Sequence, residues 1–127
     1  MDACYCDYDI PSFYRATEPV ARKSHQCGEC GRMIAPGEKY ERVSAISDRQ
    51  LWHNKTCARC LALRRYVVAH VPCCCWSHGN MIEEVMQSVD EYAHEAPGLW
   101  FGAGRLRAAI RRAPRFDQSP RSTNGAA

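Results

Sequence analysis

The sequence predicts an α+β chain: a small metal-stabilised knuckle, β-hairpin and helix, followed by two C-terminal helices. Three observations carry this. Cys27-x-x-Cys30 and Cys57-x-x-Cys60 form two pairs, with 26 residues between Cys30 and Cys57. The segment between the pairs is rich in Tyr, Val and Ile and carries turn signals. After residue 80 the apolar residues recur with a helical period. Two Cys-x-x-Cys pairs at this separation signal a structural zinc site, because a two-residue gap lets both sulfurs of a pair reach one ion.

Residues 1–26 hold Cys4 and Cys6, then Tyr5, Tyr8, Phe13 and Tyr14, with prolines at 11 and 19. They show no sustained period of either helix or strand, so an irregular extended arm is expected, packing its aromatics on the zinc unit. Residues 27–31 form a zinc knuckle. Gly28 and Gly31 suit it because glycine accepts positive φ. Pro36-Gly37 marks a turn. Residues 39–46 read as a strand, 47–49 as the hairpin turn and 50–53 as the returning strand. Thr56 is placed to cap a helix. Cys60, Leu63, Val67 and either His70 or Val71 then continue one face, and Pro72 stops the helix.

The second thiol cluster reads Cys73-Cys74-Cys75-Trp76-Ser77-His78. Cys4, Cys6, Cys73 and Cys75 are expected to form a second four-thiolate site, with Cys74 left over. Cys75-x-x-His78 is a competing pair, so His78 or Cys74 can replace a cysteine there. Asn80 and Glu83 have capping-box spacing. Met81, Ile82, Val85, Met86, Val89, Tyr92 and Ala93 then fall on one stripe, with five acids on the remainder. Pro97-Gly98 ends that helix. Residues 99–113 form the last one, with Leu99, Leu106, Ile110 and Ala113 on its apolar side; Gly102 and Gly104 each weaken it by about 1 kcal/mol. The domain plan is a single zinc-binding domain over 1–118, with its core at 27–71 and its helical part at 80–113. Residues 119–127 have the composition of a disordered tail.

Knuckle, hairpin and a helix bearing the last ligand is the order of a treble-clef zinc finger, and the stretch resembles that family. Trp52-His53 followed by Cys57-x-x-Cys60 also looks like the middle of a LIM-type finger, which implies that His53 can stand in for Cys57 as a ligand. Three residues separate His53 from Cys57 where LIM modules usually have two, so the resemblance supports a fold unit and not a LIM function. A histidine in this position otherwise packs beside the site or hydrogen-bonds to it. In type the chain is similar to small zinc-finger proteins of bacteria and their phages.

The treble clef is also the skeleton of HNH nucleases, which need a general-base histidine at the end of the first hairpin strand. Here Ser44-Ala45-Ile46 ends that strand, and Leu61 follows Cys60 where many such enzymes have histidine. Neither His53 nor His70 has a carboxylate beside it in sequence. No Ser-His-Asp order, phosphate loop or H-E-x-x-H motif is present. A closed four-thiolate site leaves no open coordination position. The chain is therefore expected to be non-enzymatic, with an HNH-like nuclease as a remote alternative.

At 127 residues one domain is expected. The absence of a long apolar run argues against a membrane span, and the N-terminus lacks the pattern of a signal peptide. A cytoplasmic location follows. In that reducing compartment nine cysteines point to metal rather than disulfides, and two zinc ions are expected. The formal charge of +3 is unevenly spread. Residues 99–127 hold six arginines against one acid, or +5, which leaves −2 for residues 1–98. Arg105, Arg107, Arg111 and Arg112 make a basic helical band, with Arg105 and Arg112 about 20° apart around the axis. That band is the expected nucleic-acid-binding surface, with Trp100-Phe101 either beside it as stacking groups or buried as core. The alternative is a protein-binding adaptor or inhibitor, of the kind phages carry, acting on a host nucleoprotein complex. No small-molecule substrate is expected.

Overall fold

In the computed structural model, the described residues are 11–114. Strands β1 (Phe13–Thr17), β2 (His25–Gln26), β3 (Met33–Ile34), β4 (Tyr40–Ser47) and β5 (Gln50–Cys57) precede helices α1 (Ala58–His70), α2 (Met81–Tyr92) and α3 (Pro97–Arg112). β1, β4 and β5 form an antiparallel sheet in that order, and β2 pairs with β3 across the knuckle. The expected positions at Cys4 and Cys6 and the 119–127 tail lie outside the described residues. No helix among the described residues is long and apolar enough to cross a membrane.

α1 lies between the sheet and the other two helices, touching β4, β5, α2 and α3. Leu63 and Val67 are fully buried, and the core continues through Ile34, Met81, Val85, Val89, Leu99, Ala103 and Ile110. Two-sided burial explains Arg64, a buried cation on this helix. Its guanidinium makes a two-pronged ion pair with Glu41 of β4 at 2.8 and 2.7 Å and lies 4.5 Å from the centre of the Trp76 ring.

The hairpin turn is tight. Ser47 pairs with Gln50, leaving Asp48 and Arg49 as a two-residue loop with φ of 52° and 66°. Such a loop matches the twist of the strands, but its left-handed backbone favours Asn and Gly. β5 continues to Cys57, four residues beyond the expected end. Thr56 is consequently a fully buried strand residue, and Cys57 takes the N-cap position of α1.

Five further expectations are corrected. The N-terminal arm is not irregular throughout, because Phe13–Thr17 form β1, which pairs along its whole length with β4. Phe13 and Tyr14 are exposed at 45% and 48% instead of packing on the zinc unit. Gly28 does not have positive φ. A Cβ there would run into the Asn54 side chain, so close approach requires the glycine, whereas Gly31 does have φ of 76°. Asn80 occupies the N-cap position of α2 but makes no side-chain cap hydrogen bond. Pro97 opens α3 instead of closing α2. Gly102 of α3 sits under the Tyr66 ring of α1, which a Cβ would strike. The glycine thus trades helix propensity for close helix packing.

Candidate metal centre

β2 ends just before Cys27, and the chain then turns so that the Cys27 oxygen accepts the Gly31 amide at 3.0 Å. Cys57 closes β5, and Cys60 lies in the first turn of α1. The Gly28 amide donates to the Lys55 oxygen at 2.7 Å, tying the knuckle to the strand that delivers Cys57. The four sulfurs all lie within 4.8 Å of one another. Cys27 and Cys60 are 3.8 Å apart and Cys30 and Cys57 3.9 Å apart. A tetrahedral ion about 2.3 Å from each sulfur has an edge of about 3.8 Å, so the cluster can hold a metal ion such as zinc.

The surroundings suit thiolates. Backbone amides of Glu29 and Cys57 donate to Cys27 Sγ at 3.4 and 3.3 Å, and that of Arg32 to Cys30 Sγ at 3.4 Å. Hydrogen bonds from the other three cysteines hold the Cys27 thiol far below its usual range. The same thiolate pushes Cys57 and Cys60 far above theirs, since each would lose a hydrogen bond to it and gain a like charge. Holding all four sulfurs as thiolates in so close a cluster would take a cation to offset their mutual repulsion. Four protein ligands also close the coordination sphere, the arrangement of a structural ion.

Glu29, between the two cysteines of the knuckle, is a residue that sequence reasoning missed. Its carboxylate is 1% exposed. Its Oε2 accepts from the Gly79 amide at 2.8 Å and Asn54 Nδ2 at 3.1 Å, and its Oε1 from the Met81 amide at 3.1 Å. Burial works against its charge, but His78 and these donors hold it below the usual carboxylate range. Glu29 thus joins the knuckle to the start of α2.

The other expected site residues are dispersed. Cys73 and Cys75 lie 3.8 Å apart and are not bonded to one another, but each is disulfide-bonded, which corrects the expectation that they are reduced metal ligands. Cys74 is a free, half-buried thiol, which burial pushes up. His53 is not part of the four-sulfur cluster, and its Nδ1 lies 3.0 Å from Ser44 Oγ. His78 is enclosed by Tyr14, Trp52 and Trp76, with Tyr14 Oη 2.9 Å from its Nε2.

Of the arginines on α3, Arg105, Arg111 and Arg112 are exposed and Arg107 is half-buried. Arg107 and Arg111, one turn apart, join Arg32 in an open cleft of about 460 Å³ beside Cys30. A second groove, also about 460 Å³, runs from the same two arginines past Met86 to Trp100 and Phe101. Those aromatics are 53% and 69% exposed, so the alternative that buries them as core is corrected. No family model, curated protein or solved structure matches this chain.

Proposed function

We propose that the chain is a non-enzymatic, cytoplasmic zinc protein of treble-clef type that binds nucleic acid through the basic face of α3. The observation that carries this is the pair of adjoining cavities. Arg107 and Arg111 line both, with Arg32 alongside Glu29 and Glu83 on one side and exposed Trp100 and Phe101 on the other. Among the described residues none of these three arginines has an acidic ion-pair partner. Guanidinium groups beside exposed rings suit phosphates flanked by bases. A second zinc on Cys4, Cys6, Cys73 and Cys75 belongs to the proposal. It rests on the matching Cys-x-Cys spacing of Cys4–Cys6 and Cys73–Cys75 in the sequence, and it requires Cys73 and Cys75 to be reduced, since both are disulfide-bonded in the structure.

Fluorescence anisotropy with a labelled oligonucleotide at two salt concentrations tests the reading. Binding should weaken as salt rises, and reversing Arg107 and Arg111 to Glu should weaken it for every sequence tried. No affinity at low salt would remove the reading. It would leave the adaptor or inhibitor alternative, for which the exposed Trp100–Phe101 pair is the specific support.

A further inference from the structure

The outer face of the β1–β4–β5 sheet carries a graded pattern. Residues directly opposite in a sheet share a face, and the register defines three rows. The first row is Thr17, Arg42 and Lys55. The second is Arg15, Ser44 and His53. The third is Phe13, Ile46 and Leu51. The hydrogen bond between Ser44 and His53 and a small hollow bounded by Arg15, Thr17, Arg42 and Ser44 both lie on this face. Arg15, Arg42, Phe13 and Leu51 are exposed.

No Asp or Glu occupies any of these positions. Glu41, the acid next to Arg42 in β4, faces the other way and is consumed by Arg64. Glu18, just after β1, is paired with Arg65. Arg42 and Lys55 stand directly opposite each other, an arrangement that like-charge repulsion disfavours. The cationic side extends beyond the first row into a hollow of about 670 Å³ bordered by Arg22, Lys23, His25 and Tyr40. The local field is felt at His25, which burial and then Lys55, Lys23 and Arg42 hold below its usual range.

We infer that this sheet face is a second nucleic-acid contact, which takes a single strand with its phosphates over Arg42, Lys55 and Arg15 and a base over Phe13 and Leu51. The inference rests on the nucleic-acid reading above and adds a surface independent of α3. Charge complementarity calls for a polyanion. The gradient from cations to apolar groups calls for an unpaired strand, because a single strand presents phosphates on one edge and bases on the other. A duplex turns its bases inward, which would leave the third row without a counterpart. Adjacent strands lie about 4.8 Å apart and alternate residues about 6.7 Å apart, so the face has room for only a few nucleotides.

The test uses the full chain, a labelled oligothymidine and a labelled duplex of the same length. Arg42→Thr with Lys55→Thr removes two cations while keeping residues that suit strands. The double variant should melt no lower than the unmodified chain, since it relieves a like-charge pair. Its affinity for oligothymidine should fall at least tenfold at low salt, and its salt slope should drop by about 0.7 for each phosphate that is no longer neutralised. Unchanged affinity and slope in a chain that binds would overturn the sheet face and leave the α3 surface standing. Equal binding of duplex and single strand would overturn the assignment to an unpaired strand. No binding by the unmodified chain would remove both surfaces.

Discussion

Glu29 Oε1 accepts the amide of Met81 at 3.1 Å, across 52 residues of sequence. The knuckle thereby supplies the cap for a helix whose own N-cap residue, Asn80, supplies none. Glu29→Ala should cost about 2 kcal/mol, because it strands the amide of buried Met81 at the helix N-terminus and removes a buried acceptor of Asn54. Glu29→Gln keeps one acceptor oxygen and should cost less. Urea unfolding of zinc-loaded protein measures both, and a midpoint unmoved by Glu29→Ala would show that the cap contributes nothing.

The buried pair of Glu41 and Arg64 gives a different signature. Arg64→Ala should destabilise by about 3 kcal/mol or more, since it leaves a carboxylate buried without its cation. Removing both charges, as Glu41→Leu with Arg64→Met, should recover more than half of that loss. Thermal melts of the single and double variants compare the two. A double variant no better than Arg64→Ala would mean that the loss came from the Trp76 packing and not from the stranded charge.

These two interactions mark where the fold stopped being legible in the sequence. The cysteine pairs, the turn at 47–49 and the stop at Pro72 are local signals, and the hairpin and α1 follow from them. The stripe of α2 was legible because one side of that helix faces the core, with Met81, Val85 and Val89 fully buried. β1 was missed because it is exposed along its whole length and owes its strand form to pairing with β4. The cationic sheet face was missed because Arg15, Arg42 and Lys55 are brought together only by cross-strand register. Glu29 was missed because a glutamate inside a knuckle reads as a solvated charge until α2 is placed against it.

The turn at Asp48 and Arg49 offers a gain in stability. Arg49 holds φ at 66°, a left-handed conformation that costs a non-glycine residue about 1 kcal/mol. Arg49→Gly removes the Cβ that makes it costly, offset in part by the greater freedom of glycine in the unfolded chain. The variant should be stabilised by about 0.5 kcal/mol and keep its oligonucleotide affinity, since Arg49 lies outside both proposed surfaces. Chemical denaturation reads the sign, and a destabilised variant would show that the Arg49 side chain contributes more than its backbone costs.

The metal content separates the two halves of the zinc proposal. Cys27, Cys30, Cys57 and Cys60 converge from three elements, so removing their ion should release the knuckle, the end of β5 and the start of α1 together. A structural zinc contributes on the order of 10 kcal/mol to a small domain, far more than this core can replace. Cys30→Ser should therefore unfold that region, and Cys74→Ser should be nearly silent. Elemental analysis of reduced, chelator-free protein should give two zinc ions per chain, and Cys73→Ser or Cys75→Ser should lower that to one while leaving the hairpin folded. Thiol titration after denaturation and chelation supplies the cross-check. All nine cysteines should react if both clusters hold metal. Five reactive thiols with a single zinc would mean that four cysteines are oxidised in pairs, which would remove the second site while leaving the first intact. A value near zero zinc would remove both, and with them the reason for four sulfurs to lie within 4.8 Å of one another.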